Sequence, residues 1–172
     1  MIELDVQNPY EFESIPKKDE LQRWVEAAIQ GKNSTPKLSI VLRFVNREES
    51  KTLNHAYRHK RYATNVLSFP FDEPEFTTDM ADLNEALAQH LQQQHLGDIV
   101  LCEQIVQKEA REQHKTLKQH WAHLIVHGVL HLQGYDHQQA EEAELMESLE
   151  IKILQGLGFD NPYLEACPRT RN

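Results

Sequence analysis

Residues 127–137 read His-Gly-Val-Leu-His-Leu-Gln-Gly-Tyr-Asp-His. A helix turns by about 100° per residue, so His127 and His131 project from one face, one turn apart. Two imidazoles placed this way can share a small cation. Gly134 then breaks the helix, because glycine readily takes the left-handed conformation that ends one. The chain can turn back there and bring His137 to the same ion. Three neutral imidazoles favour zinc, nickel, copper or iron over magnesium or calcium. Three protein ligands leave a fourth position for water or substrate, the layout of a catalytic zinc site. The chain holds ten histidines, so one i,i+4 pair can arise by coincidence. The pair, the breaking glycine and the third histidine together point to a metal.

The elements that must position these residues follow from the rest of the chain. With 172 residues, one domain is expected over about residues 1–160, followed by a polar tail over 161–172. No run of about 18 apolar residues is present, and the first residues lack the layout of a signal peptide. Cys102 and Cys167 make no disulfide framework, so a reducing cytoplasm is expected. The net charge of −9 argues against a protein that coats nucleic acid indiscriminately. Charge is uneven, however. Residues 36–71 hold seven Lys and Arg against two Glu, and acid collects in 72–82 and 141–150. A Debye length of about 8 Å lets such a local basic surface act on its own.

Alternation of apolar and acidic residues over 2–6 predicts a half-buried strand. Leu21, Trp24, Val25, Ala28 and Ile29 predict an amphipathic helix over about 18–30, with Trp24 in the core. Residues 38–45 read as a strand. Asn46 is placed to cap a helix over 47–57 that buries Leu53, Ala56 and Tyr57. The basic run Arg58-His59-Lys60-Arg61 ends that helix. It either complements the helix dipole or contacts phosphate. A short strand over 66–69 stops at Pro70. Residues 82–93 could form a short helix, and His90 and His95, with no metal spacing, are expected to be solvated. A strand over 96–102 and a helix over 103–113 follow. Thr116 is placed to cap the histidine helix, 117–132. A last helix, 138–154, carries a stripe of Leu145, Leu149 and Ile153, with Met146, read as core, and Leu154 beside it.

His120 and His123 compete for the ligand role. From His123 to His131 the direction drifts by about 80° over two turns, so one ion cannot hold His123, His127 and His131 on a straight helix. His120 and His123 are therefore expected at the surface or behind the ligands. The spacing H-x3-H-x2-G-x2-H resembles the zinc helix of metzincin peptidases. That motif carries its general base, a glutamate, directly after the first histidine. Gly128 stands there, so a peptidase would lack its base.

The wording of residues 127–137 resembles the signature of the YbeY family of bacterial rRNA maturation endoribonucleases. Leu53-Asn54-His55-Ala56-Tyr57-Arg58, residues 64–70 (Thr-Asn-Val-Leu-Ser-Phe-Pro) and Leu96-Gly97-Asp98-Ile99 resemble further blocks of that family, in order. Met146 and Glu150 match its helix after the motif. Segment 73–94 looks longer than the family carries there. The resemblance implies one α+β domain: a small mixed four-stranded sheet packed with about five to six helices, and a zincin-like metal helix. It implies one Zn2+ (or nickel or another divalent transition metal) on His127, His131 and His137. It implies endonucleolytic cleavage of single-stranded RNA, 16S rRNA 3′-end maturation and ribosome quality control. The partners would be the small ribosomal subunit and its assembly factors, with no membrane and no DNA. Arg58 matches a functionally important arginine of the family, which favours the phosphate reading of the basic run.

A bound cation lowers the pKa of its water and polarises a phosphoryl oxygen. Arg58 would then stabilise the charge that a phosphodiester gains in flight. Gly128 would leave room for the scissile backbone. The proton acceptor stays open between a second water, the hydroxide and the RNA 2′-hydroxyl. Asp98 and Asp136 are candidate acceptors from a ligand imidazole, although Asp136 reads first as a turn residue before His137. Two rival classes are a metal-dependent hydrolase of peptides or small esters, and a ribosome-assembly factor with a structural metal.

Overall fold

The structure is a computed structural model that describes residues 2–30, 37–71, 93–136 and 138–164. Period-two burial builds the sheet's edge. In β1 (Ile2–Gln7) Ile2 and Leu4 are buried, while Glu3 and Asp5 face water. β1 runs parallel to β2 (Lys37–Val45), with Leu4 opposite Ile40. β2 also pairs in parallel with β4 (Gln93–Cys102), and β3 (Val66–Pro70) lies antiparallel on the far side of β4. The order is β1-β2-β4-β3.

Five helices occur among the described residues: α1 (Lys18–Ala28), α2 (Arg47–Arg58), α3 (Glu103–Glu112), α4 (Leu117–Leu132) and α5 (Ala140–Gly156). The architecture is α+β, as the resemblance implies. α4 packs on β3 and β4 and touches α1, α3 and α5. Enclosure on several sides explains why its apolar residues circle the whole helix instead of forming one stripe. Trp121, Ile125, Val129 and Leu130 are all buried, and Trp121 meets Phe44 of β2 edge to face at 5.2 Å. Trp24 is fully buried, as expected. A second, smaller cluster joins Val45, Leu67, Val100 and Cys102 to Leu53 of α2 and Ile105 of α3.

The caps match the sequence. Asn46 accepts from the Glu49 backbone N–H at 2.9 Å, and Thr116 forms a reciprocal capping box with Gln119. Other expectations are corrected. α2 leaves Ala56 and Tyr57 exposed and buries the polar Ser50 and Asn54 instead. In α5 the buried stripe is Met146, Glu150 and Leu154, while Leu145 is exposed. β4 begins at Gln93, three residues before the expected start, where it continues the ladder to Lys37. The rest of the helix expected over 82–93, with His90, lies outside the described residues, as does Cys167. No helix among the described residues is long and apolar enough to cross a membrane.

Candidate metal centre and its groove

α4 delivers His127 and His131 together. Their Nε2 atoms converge to 3.0 Å. After Leu132 the helix unwinds at Gly134, whose φ of +96° a side chain would strain. The Gly134 and Tyr135 N–H groups return to the carbonyls of His131 and Leu130, so the chain turns sharply at this point. His137, the third expected ligand, lies outside the described residues. Among the described residues no group of three His, Cys, Asp or Glu forms a metal set.

Glu150 is the partner of His127 Nδ1. Its side chain is fully buried, and Oε1 accepts a hydrogen bond from His127 Nδ1. Oε2 accepts from the Tyr163 hydroxyl and lies 3.6 Å from His123 Nε2. Burial alone would raise the Glu150 pKa. The hydrogen bonds from His127 and Tyr163, with His123 close by, outweigh it and bring the pKa to about 2. An ionised carboxylate only accepts, so Nδ1 is the donating nitrogen of that pair, and Nε2 faces His131. Nε2 lone pairs suit a zinc-type ion, since two nitrogens on a tetrahedral zinc stand about 3.3 Å apart. The donor set present therefore fits the implied metal. Burial lowers the His123 pKa, and burial with the adjacent Glu150 raises that of Tyr163.

The imidazole pair opens into a groove of about 730 Å³, shared with Arg58, Tyr57, Ser68 and Asp136. Arg58 is the last residue of α2, exposed on the groove wall. The polar side of α2 holds the basic loop in place. The Ser50 hydroxyl accepts from the Thr64 N–H and donates to the Thr64 carbonyl, both at 2.9 Å. Asn54 donates to the Tyr62 carbonyl at 2.8 Å. This is why α2 buries polar residues where apolar ones were expected.

The remaining candidates fall as follows. Asp136 is half-buried on the groove wall. Asp98 accepts from His95 Nε2 at 3.0 Å, and His95 Nδ1 meets Ser39 Oγ at 2.8 Å, so His95 is half-buried and bonded, not solvated. The acceptor facing His127 is Glu150, not Asp98. His120 is buried against Glu109 at 3.0 Å, and His123 sits behind His127 against Glu150, so neither is a surface residue. Gly128 gives no room to a substrate. A Cβ there would meet Ile99 of β4 at 3.0 Å and Ser68 of β3 at 3.3 Å, so the missing side chain is what lets α4 seat on the sheet. The start of the 161–172 segment is fastened by Lys115 Nζ donating to the Pro162 carbonyl at 2.8 Å, as well as by Tyr163.

A family profile described as endoribonuclease YbeY matches residues 5–158. The chain belongs to the YbeY family. Among relatives bearing the name endoribonuclease YbeY, that of Coxiella burnetii is 47% identical over 169 residues, covering 96% of this chain and 100% of the relative. That of Pseudomonas putida is 46% identical over 165 residues, covering 96% and 95%. That of Alkalilimnicola ehrlichii is 48% identical over 149 residues, covering 87% and 82%. The solution structure of a Thermotoga maritima protein aligns with a TM-score of 0.50 at 22% identity, covering 98% of this chain and 99% of that one, a likeness of fold. A YbeY-family chain is a nuclease acting on RNA phosphodiester bonds, which displaces the peptidase reading. Glu150 is the site residue that sequence reasoning did not assign. Its signal was present: a glutamate standing between Met146 and Leu154 at i±4 in an otherwise apolar stripe.

Proposed function

We propose that this chain is a metal-dependent endoribonuclease that cuts single-stranded RNA, matures the 16S rRNA 3′ end and serves ribosome quality control in the cytoplasm, in contact with the small subunit and its assembly factors. His127, His131 and His137 would hold the ion, with zinc the expected metal. The observation that carries the reading is the convergence of two imidazole Nε2 atoms, 3.0 Å apart, on a groove whose wall presents Arg58. When bound, the ion supplies a Lewis acid and lowers the pKa of neighbouring water.

The chain's own residues do the rest. Glu150 accepts from His127 Nδ1 and so orients the ring with Nε2 toward His131. Arg58 offers a planar pair of donors to a phosphate in the groove, which a lysine would not reproduce. Ser50 and Asn54 fasten Thr64 and Tyr62, so the loop that follows Arg58 is held against α2. Gly128 sets the depth at which α4, and with it both imidazoles, rests on the sheet.

The test is metal removal and return. Chelator-treated protein should lose cleavage of a single-stranded 16S 3′-end RNA, regain it with zinc, and leave duplex RNA and peptides uncut in either state. Cleavage unaffected by complete metal removal would end the metal-dependent reading.

A further inference from the structure

The groove wall carries an aromatic side chain, Tyr57, that is packed on one side and open on the other. Tyr57 is spaced like an inward residue of α2, yet it is 65% exposed. The ring is nevertheless held. It meets Phe69 of β3 at a centroid distance of 5.0 Å and an interplanar angle of 65°. An edge-to-face contact of this kind uses one edge or one face of the ring, and at 65% exposure the other side of Tyr57 faces the groove and solvent. Arg58 follows it directly, and both line the groove that His127 and His131 enter. Lys60, Arg61 and Tyr62 are exposed just beyond, Tyr62 at 58%. Aromatic faces interleaved with cations form the surface that single-stranded nucleic acid uses: bases stack while phosphates pair.

We infer that Tyr57 is a base-stacking shelf, which holds the nucleobase next to the phosphate that Arg58 engages and so sets the register of the RNA over the imidazole pair. The assignment rests on the endoribonuclease reading and adds to it a subsite with a defined ligand, a nucleobase. Every base has a π-face, so the shelf grips RNA with little sequence preference. It acts on binding and register, while the cation and Arg58 act on the phosphate.

The experiment measures KM and kcat of the full-length, zinc-loaded protein on single-stranded oligoribonucleotides, each with one abasic position moved along the strand. Tyr57→Ala should raise KM roughly 5- to 100-fold, the effect of losing one stacked base, with a smaller change in kcat. Tyr57→Phe should match the wild type, since stacking needs the ring and not the hydroxyl. In the wild type one abasic position should be costly. In Tyr57→Ala the same position should cost nothing further. Should Tyr57→Ala melt early, Tyr57→Leu fills the space against Phe69 without a π-face and should show the same KM defect. An unchanged KM in folded Tyr57→Ala or Tyr57→Leu overturns the shelf, as does a Tyr57→Phe defect equal to that of alanine. A KM rise that is the same for intact and abasic strands overturns it too. Wild-type protein that cleaves no RNA at all would instead overturn the endoribonuclease reading.

Discussion

Glu150→Gln isolates the role of the buried carboxylate, because it keeps the shape and removes only the charge. In the wild type one oxygen accepts a hydrogen bond from His127 Nδ1, and the other accepts from the Tyr163 hydroxyl, with His123 3.6 Å away. The amide oxygen can still accept from His127. It does so as a neutral acceptor, and a hydrogen bond to an ionised partner is about twice as strong as one between neutral groups. With charged bonds contributing about 1.5–3 kcal/mol and neutral ones about 0.5–1.5, the loss is roughly 1–2 kcal/mol. The ion then sees a less basic Nε2, and zinc affinity should fall about 5- to 30-fold, within reach of the 10- to 100-fold cost usual for partners of ligand histidines. Competition against a chromophoric chelator at fixed pH measures it, with circular dichroism of the metal-free form as a check on folding. Unchanged zinc affinity in a folded Glu150→Gln protein would refute the idea that Glu150 tunes His127.

Three further outcomes follow from the geometry. Arg58→Ala should keep its zinc and lose about 10²- to 10³-fold in kcat on RNA, as removal of an electrostatic donor to a developing oxyanion does, read by steady-state cleavage. Gly128→Ala puts a Cβ 3.0 Å from Ile99 and 3.3 Å from Ser68, and should cost about 1–3 kcal/mol in denaturant unfolding as α4 is pushed off the sheet. Burial raises the Glu109 pKa, but hydrogen bonds from His120 and Asn65 bring it below the ordinary 4.5. A depressed folded pKa contributes stability above the unfolded value that is lost as pH falls through the folded one. Glu109→Gln should therefore destabilise the protein at neutral pH, and its gap from the wild type should narrow below about pH 4.5 in urea titrations.

What the sequence made legible was local. Helical spacing paired His127 with His131, Gly134 marked the turn, and Asn46 and Thr116 marked helix starts, because each depends on residues within a turn or two. The residues it misplaced depend on partners far along the chain. Glu150 carries no assigned role until α4 is packed beside it with His127, 23 positions earlier. Ser50 and Asn54 look like the wet side of α2, and become its buried side only because the loop 62–64 folds back onto them. Asp98 looked available to a ligand until the β2–β4 register set His95 opposite Ser39 and put its ring on that carboxylate. Tyr57 fits the apolar period of its helix, and period alone cannot distinguish a core aromatic from one turned into a groove.

The central claim is that the paired imidazoles hold the metal that RNA cleavage requires. Metal content and single-stranded RNA cleavage, measured side by side on wild type and His131→Ala, test it most directly. The account predicts about one zinc per wild-type chain, and loss of both metal and cleavage in the folded variant. Full cleavage by a metal-free His131→Ala protein would contradict it.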